Sequence, residues 1–313
     1  MAYQGKPVAL TWQAAHAMQL AGDLPTDLSP QDLRAMYTAQ RLKLQPPRPP
    51  IARVEDRSFP GKGGTIAARA YWPSNDGKLR PLIIYFHGGG WVVGSIEGYD
   101  TTCRRLALKA DAVVVSVDYR LAPEHPFPAA VDDAWDAVNW CARNCDSLQV
   151  DPNRIVVAGD SAGGTLSAAV ALQARDAAGP KIALQVLIYP ATDLTRESDS
   201  YVRNAQGYML TANALRWFAD RYLPDRGQRS DWRASPLLHP SLRGVAPALV
   251  IAAEHDPLVD EDEAYAERLR SEGVETEYVC YPGMLHPFFT LGGVIDEAAR
   301  AEDLIAERVR GLT

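Results

Sequence analysis

A serine set among small residues, Gly159-Asp160-Ser161-Ala162-Gly163-Gly164, follows the apolar run Arg154-Ile155-Val156-Val157-Ala158 and opens a stretch of helical character. A strand that turns sharply into a helix lifts the turn residue clear of the backbone. Glycines on both sides permit an approach that a β-carbon would obstruct. A serine held there presents its hydroxyl as a nucleophile. A phosphate cradle would need a lysine at the helix start, and this stretch has none. Upstream, His87-Gly88-Gly89-Gly90-Trp91 follows another apolar run, Leu82-Ile83-Ile84-Tyr85-Phe86. Three glycines in a row expose backbone N–H groups, the donors that a developing oxyanion needs in acyl transfer.

A serine hydroxyl needs a base, and the base needs a third group to orient it. Three histidines follow Ser161; His239 has no partner pattern, which leaves His255 and His286. His286 ends Tyr281-Pro282-Gly283-Met284-Leu285-His286, just past the strand-like 275–280. Asp256 lies in Glu254-His255-Asp256-Pro257-Leu258-Val259-Asp260, just past the strand-like 248–252. Both thus fall at strand ends, on the edge where Ser161 would sit. Asp260 is the competing acid, but it opens the amphipathic stretch 261–271 and is expected to cap that helix. His255 is expected to serve in a loop, beside the acid and not as the base.

These residues resemble the hormone-sensitive-lipase-like (bacterial family IV) carboxylesterases of the α/β-hydrolase superfamily, from about residue 80 to 286. The likeness rests on His87 to Trp91, Asp118-Tyr119-Arg120-Leu121-Ala122-Pro123-Glu124, Gly159 to Gly164, Asp256-Pro257-Leu258 and Tyr281 to His286, in that order. It implies Ser161 as nucleophile, Asp256 as orienting acid and His286 as base, with the N–H groups of Gly88, Gly89 and Ala162 as oxyanion hole. It implies a serine esterase acting on short-to-medium acyl chains through an acyl-enzyme, with no cofactor and no metal. Amidase, deacetylase and thioesterase activities use the same machinery and stay open. A non-catalytic ligand-binding member of the fold would be expected to lack part of the triad. Pro287 departs from the family, which more often has glycine after the histidine.

Eight strands are expected near 51–57, 65–72, 82–86, 112–117, 154–158, 184–189, 248–252 and 275–280. From the third onward they alternate with helical stretches at 98–109, 129–144, 162–174 and 260–271. That alternation predicts one α/β domain over 1–313, an eight-stranded mostly parallel sheet wrapped by helices, with the first two strands as an antiparallel edge. Two segments fall outside it: about 1–45, with helices at 12–21 and 30–44, and 193–236, rich in large apolar residues. By the resemblance they form a helical cap over a core of about 51–192 and 237–313. Trp91, Tyr189, Tyr208, Met209, Trp217 and Leu258 are the expected substrate-binding side chains. Apolar residues make up 47% of the 313, enough for a substantial core, and the net charge of −7 argues against nucleic-acid binding. Four cysteines are too few for a disulfide framework, and Cys141 and Cys145 are read as free buried thiols. No apolar run has signal-peptide or membrane-spanning length, so a cytoplasmic protein without membrane insertion is expected. The resemblance also admits a homodimer.

Overall fold

A computed structural model describes residues 9–21 and 28–312. Its eight strands are β1 (Arg53–Gly61), β2 (Gly64–Trp72), β3 (Arg80–Phe86), β4 (Val113–Asp118), β5 (Val150–Asp160), β6 (Leu184–Ile188), β7 (Ala248–His255) and β8 (Thr276–Leu285). They form one sheet in the order β1-β2-β4-β3-β5-β6-β7-β8. β2 pairs antiparallel with β1 and with β4, and every pair from β4 to β8 is parallel. The doubly wound order places the carboxyl ends of β5, β7 and β8 along one edge, where Ser161, Asp256 and His286 follow.

The helices are α1 (Trp12–Ala21), α2 (Pro30–Leu44), α3 (Ile96–Ala110), α4 (Ala129–Arg143), α5 (Cys145–Leu148), α6 (Ala162–Asp176), α7 (Asp199–Arg203), α8 (Ala212–Tyr222), α9 (Val259–Ser271) and α10 (Asp296–Arg310). The two-residue period of β3 shows how the sheet divides its core. Leu82, Ile84 and Phe86 pack with residues of α4, α6 and α9, while Ile83 and Tyr85 pack with α3 and α10. β3 and β7 are buried along their whole length, as strands covered on both faces must be. Cys103, Cys141 and Cys145 are buried thiols and Cys280 is half-buried. Among the described residues no helix is long and apolar enough to cross a membrane.

Three features depart from the sequence reading. α10 was not expected. Its buried face is Ala298, Ala301, Glu302, Ile305, Ala306 and Val309, which recur at helical spacing, a pattern the sequence reading passed over. Glu302 is buried because Arg105 of α3 pairs with it at 2.6 Å. β8 runs on to Leu285, where a loop was expected, through an irregularity between Ala253 and His255 of β7. Asp260 does not cap α9. The helix already begins at Val259, and the Asp260 carboxylate accepts the N–H of Ser200 at 2.6 Å. Of the expected cap segment 1–45, residues 1–8 and 22–27 lie outside those described.

Candidate active site

Ser161 sits between β5 and α6 with φ 55° and ψ −122°. A non-glycine residue there carries strain, on the order of 1–3 kcal/mol, which the surroundings must hold. They do so by close approach. A β-carbon on Gly163 would fall on the Phe86 carbonyl oxygen at the end of β3, so only glycine lets the first turn of α6 seat against the sheet. The Ser161 N–H donates to the Ile188 carbonyl of β6 at 2.8 Å. Ser161 stays half-exposed while its neighbours Asp160 and Ala162 are buried.

His286 Nδ1 lies 2.7 Å from Oδ2 of Asp256, which is wholly buried. Oδ1 of the same carboxylate accepts the Leu258 N–H at 2.9 Å. With Nδ1 donating to the carboxylate, Nε2 is the nitrogen left to accept a proton, and it has no protein partner among the described residues. Ser161 and His286 line one cavity, of about 220 Å³. Two other histidines have partners of their own. His255 ends β7, buried, with its ring stacked on Tyr208 at 4.8 Å. His239 lies 2.9 Å from Asp176.

Of the three N–H groups expected to face a developing oxyanion, that of Gly88 is already engaged. The Gly88 N–H points to Oδ1 of Asp160 and to the Tyr99 hydroxyl, each at 3.0 Å. Asp160 is buried, and a buried carboxylate without donors would cost several kcal/mol. It therefore draws the hydroxyls of Tyr85 (2.8 Å) and Tyr99 (2.9 Å) as well as Gly88. Gly89, Gly90 and Ala162 line the cavity instead. Among the described residues no acceptor takes the N–H of Gly89 or Gly90, and that of Ala162 precedes the first intrahelical bond of α6. Asp160 was missed, although a carboxylate at the end of an apolar strand is itself a signal that donors must converge on it.

Residues 83–290 match the model of a family described by the alpha/beta hydrolase fold. The chain is an α/β hydrolase of the hormone-sensitive-lipase-like family. It is 41% identical over 266 residues to carboxylesterase NlhH of Mycobacterium tuberculosis, spanning 84% of this chain and 83% of that one. It is 40% identical over 263 residues to ethyl acetate hydrolase of Pseudomonas putida, spanning 82% of each. Among solved structures, a hyperthermophilic esterase from the archaeon Pyrobaculum calidifontis superposes with a TM-score of 0.92 at 43% identity, over 97% of this chain and 98% of that one.

The hydrolase builds the rest of its cavity from both segments outside the sheet order. α2 contributes Tyr37 and Gln40, and the 193–236 insertion contributes Tyr201, Met209, Leu210, Leu215, Phe218 and others. Trp91, Met209 and Leu258 line it as the sequence led one to expect. Tyr189, Tyr208 and Trp217 do not. Tyr189 is buried behind His286, ring to ring at 4.3 Å. Tyr208 covers His255. Trp217 lies on another side of α8, under the Arg221 guanidinium at 3.5 Å, while Phe218, one residue and about 100° further round the helix, faces the cavity.

Burial perturbs two titratable groups near the site strongly and in opposite senses of charge. His87 is fully enclosed, and burial pulls its imidazole down from 6.5 to about 4, so the ring is neutral. Glu261, at the cavity wall, is pushed by burial from 4.5 up to about 8, although it accepts the backbone N–H groups of Thr192 (3.0 Å) and Asp193 (2.7 Å). Among the described residues no group of three or more His, Cys, Asp or Glu is disposed to hold a metal ion.

Proposed function

We propose that this hydrolase cleaves short-to-medium-chain carboxylic esters through an acyl-enzyme on Ser161. The observation that carries the reading is the placement of His286: one ring nitrogen on the buried Asp256, the ring at the wall of the cavity that Ser161 enters. The names of the relatives, carboxylesterase and ethyl acetate hydrolase, point to the same bond. Ser161 Oγ attacks the ester carbonyl while His286 Nε2 takes its proton, and Asp256 steadies the imidazolium at Nδ1. The carbonyl oxygen, now anionic, accepts from the N–H groups of Gly89, Gly90 and Ala162. His286 returns the proton to the departing alcohol. Water, deprotonated by the same nitrogen, then releases the acid.

In this reading the described parts of 1–45 and the insertion 193–236 act as the cap that shapes the pocket. Unpaired, buried thiols fit a cytoplasmic enzyme, and the open edge of β8 suits pairing with a second copy. The test is a panel of p-nitrophenyl esters, matched amides and thioesters, with wild-type protein and Ser161→Ala. Esters should be hydrolysed fastest, and Ser161→Ala should lower kcat by about 10⁴- to 10⁶-fold with the fold intact. Near-wild-type turnover by Ser161→Ala would refute the serine mechanism, and a higher kcat/KM on amides or thioesters would refute the ester assignment.

A further inference from the structure

The segment that carries the acid is gripped from outside the sheet. Between β7 and α9 the chain reads Asp256-Pro257-Leu258, and Pro257 has no N–H with which to anchor it. The carboxylate of Asp256 is engaged on both oxygens, as described above, and its backbone is engaged too. The side-chain amide of Asn204 donates to the Asp256 carbonyl at 2.9 Å. The Ser200 hydroxyl donates to the Pro257 carbonyl at 2.6 Å. The Asp260 N–H donates to Ser200 Oγ at 3.2 Å, the Ser200 N–H donates back to the Asp260 carboxylate, and Arg203 pairs with that carboxylate at 3.0 Å. Among the described residues the only other donor to the Asp256 carbonyl is the Val259 N–H, at 3.3 Å.

All three gripping residues belong to α7 and its C-cap, more than fifty residues upstream and inside the insertion. Ser200 is completely buried and Asn204 is 3% exposed. Surface packing of a cap on a core would not require two buried polar side chains aimed at consecutive carbonyls of one loop. A buried carbonyl left without a donor is costly, so these bonds fix where that loop sits.

We propose that Ser200 and Asn204 are positioning residues of the catalytic machinery. They hold the Asp256 backbone so that its carboxylate meets His286, and they couple the insertion to the chemistry. Tyr201, between them in sequence, lines the cavity, so the short helix that meets the substrate also grips the acid loop. This inference rests on the reading of Asp256 as the orienting acid.

The experiment compares Asn204→Ala, Asn204→Asp, Ser200→Ala and Asp256→Asn with wild type in the full chain. kcat and KM for p-nitrophenyl butyrate are measured separately. The far-downfield proton resonance of the His286–Asp256 hydrogen bond is recorded by NMR at acid pH. Asn204→Ala should lower kcat about ten- to a hundredfold with KM nearly unchanged, because misplacing a catalytic group slows the chemical step. Asn204→Asp has the same shape but sets an acceptor against an acceptor, and should lose at least as much. Ser200→Ala should lose less, and in each the downfield resonance should weaken and exchange faster with water. If Asp256→Asn is inactive while Asn204→Asp and Ser200→Ala keep wild-type kcat and resonance, the positioning role is refuted and the triad stands. A fall in thermal stability with kcat and resonance unmoved would refute it equally. Should either Asn204 variant fail to fold, Ser200→Ala, which removes a single hydroxyl, decides. An Asp256→Asn variant of full activity would overturn the reading of Asp256 itself, and this inference with it.

Discussion

Phe218 offers the sharpest handle on substrate choice. Its ring is 6% exposed, lines the cavity from α8 and lies so close to Gly90 that a β-carbon on that glycine would fall on the ring. Gly90 itself adopts φ +57°, so the glycine loop and α8 meet at a point where neither can move toward the other. Replacing Phe218 with alanine removes the ring and leaves its space on the cavity side. Allowing for partial relaxation of α8, that space holds at least two methylenes. Each buried methylene contributes about 0.8 kcal/mol, so two give about 1.6 kcal/mol, or roughly fifteenfold in kcat/KM. The assay is kcat/KM for p-nitrophenyl acetate through decanoate with Phe218→Ala, and with Trp217→Ala as control. Phe218→Ala should move the optimum about two carbons longer and raise the longer-to-shorter ratio by roughly fifteenfold. It should also lose about 3 kcal/mol of stability. Trp217→Ala, whose ring lies against Arg221, should leave the profile where it was. An unchanged profile in Phe218→Ala, or a shift in Trp217→Ala alone, would refute the assignment of the cavity wall.

Two further predictions concern pH and stability. The folded state holds His87 neutral at about 4 against 6.5, so its contribution is present above pH 6.5 and is lost as pH falls from there toward 4, in all about 3 kcal/mol. Denaturant unfolding at pH 7 and 4.5 should therefore show a shallower acid loss in His87→Gln than in wild type, and equal acid losses would refute it. Glu261 has the opposite sign. Its folded value is raised, so the folded state favours the protonated carboxyl below pH 4.5 and loses that advantage as pH rises from 4.5 to about 8. One carboxylate oxygen accepts both backbone N–H groups, so Glu261→Gln can keep both bonds. It should gain on wild type by about 3 to 5 kcal/mol across that interval, and a constant difference would refute the burial argument.

What could be read from the sequence was set by local pattern. Ser161, Asp256 and His286 each follow an apolar strand, and strand ends in a parallel sheet share one edge, so sequence position alone brought them together. The allocation of N–H groups was not local. Gly88, Gly89 and Gly90 are alike in one dimension, and only the burial of Asp160 decides that Gly88 faces the carboxylate while the next two face the cavity. Trp217 and Phe218 pose the same problem: both are large and apolar, and the rotation of α8 separates them. α10 was legible, since Ala298, Ala301, Ile305 and Val309 recur at helical spacing, and it was passed over. Asp260 carried the chemistry of a helix cap, and the cap was overridden by Ser200, sixty residues away in sequence.

The segments outside the sheet order are therefore more than a cover. On the N-terminal side, Arg41 of α2 is buried, with its guanidinium 3.8 Å from the centre of the Tyr99 ring. Tyr99 in turn bonds Asp160, which holds Gly88. The same guanidinium donates to Thr290 Oγ1 at 2.9 Å, four residues past His286, and Gln45 donates to the Gly98 carbonyl at 2.7 Å. One cation thus ties α3, whose Tyr99 leads through Asp160 to Gly88, to the segment after His286, while α7 grips the Asp256 loop. A burial of this kind exposes unpaired polar groups if either segment is pulled away, so the sheet without them cannot keep the three loops in register. The division into a sheet core and the segments outside it holds for sequence order only. In space, the loops of Gly88, Asp256 and His286 each depend on a residue supplied from outside the sheet.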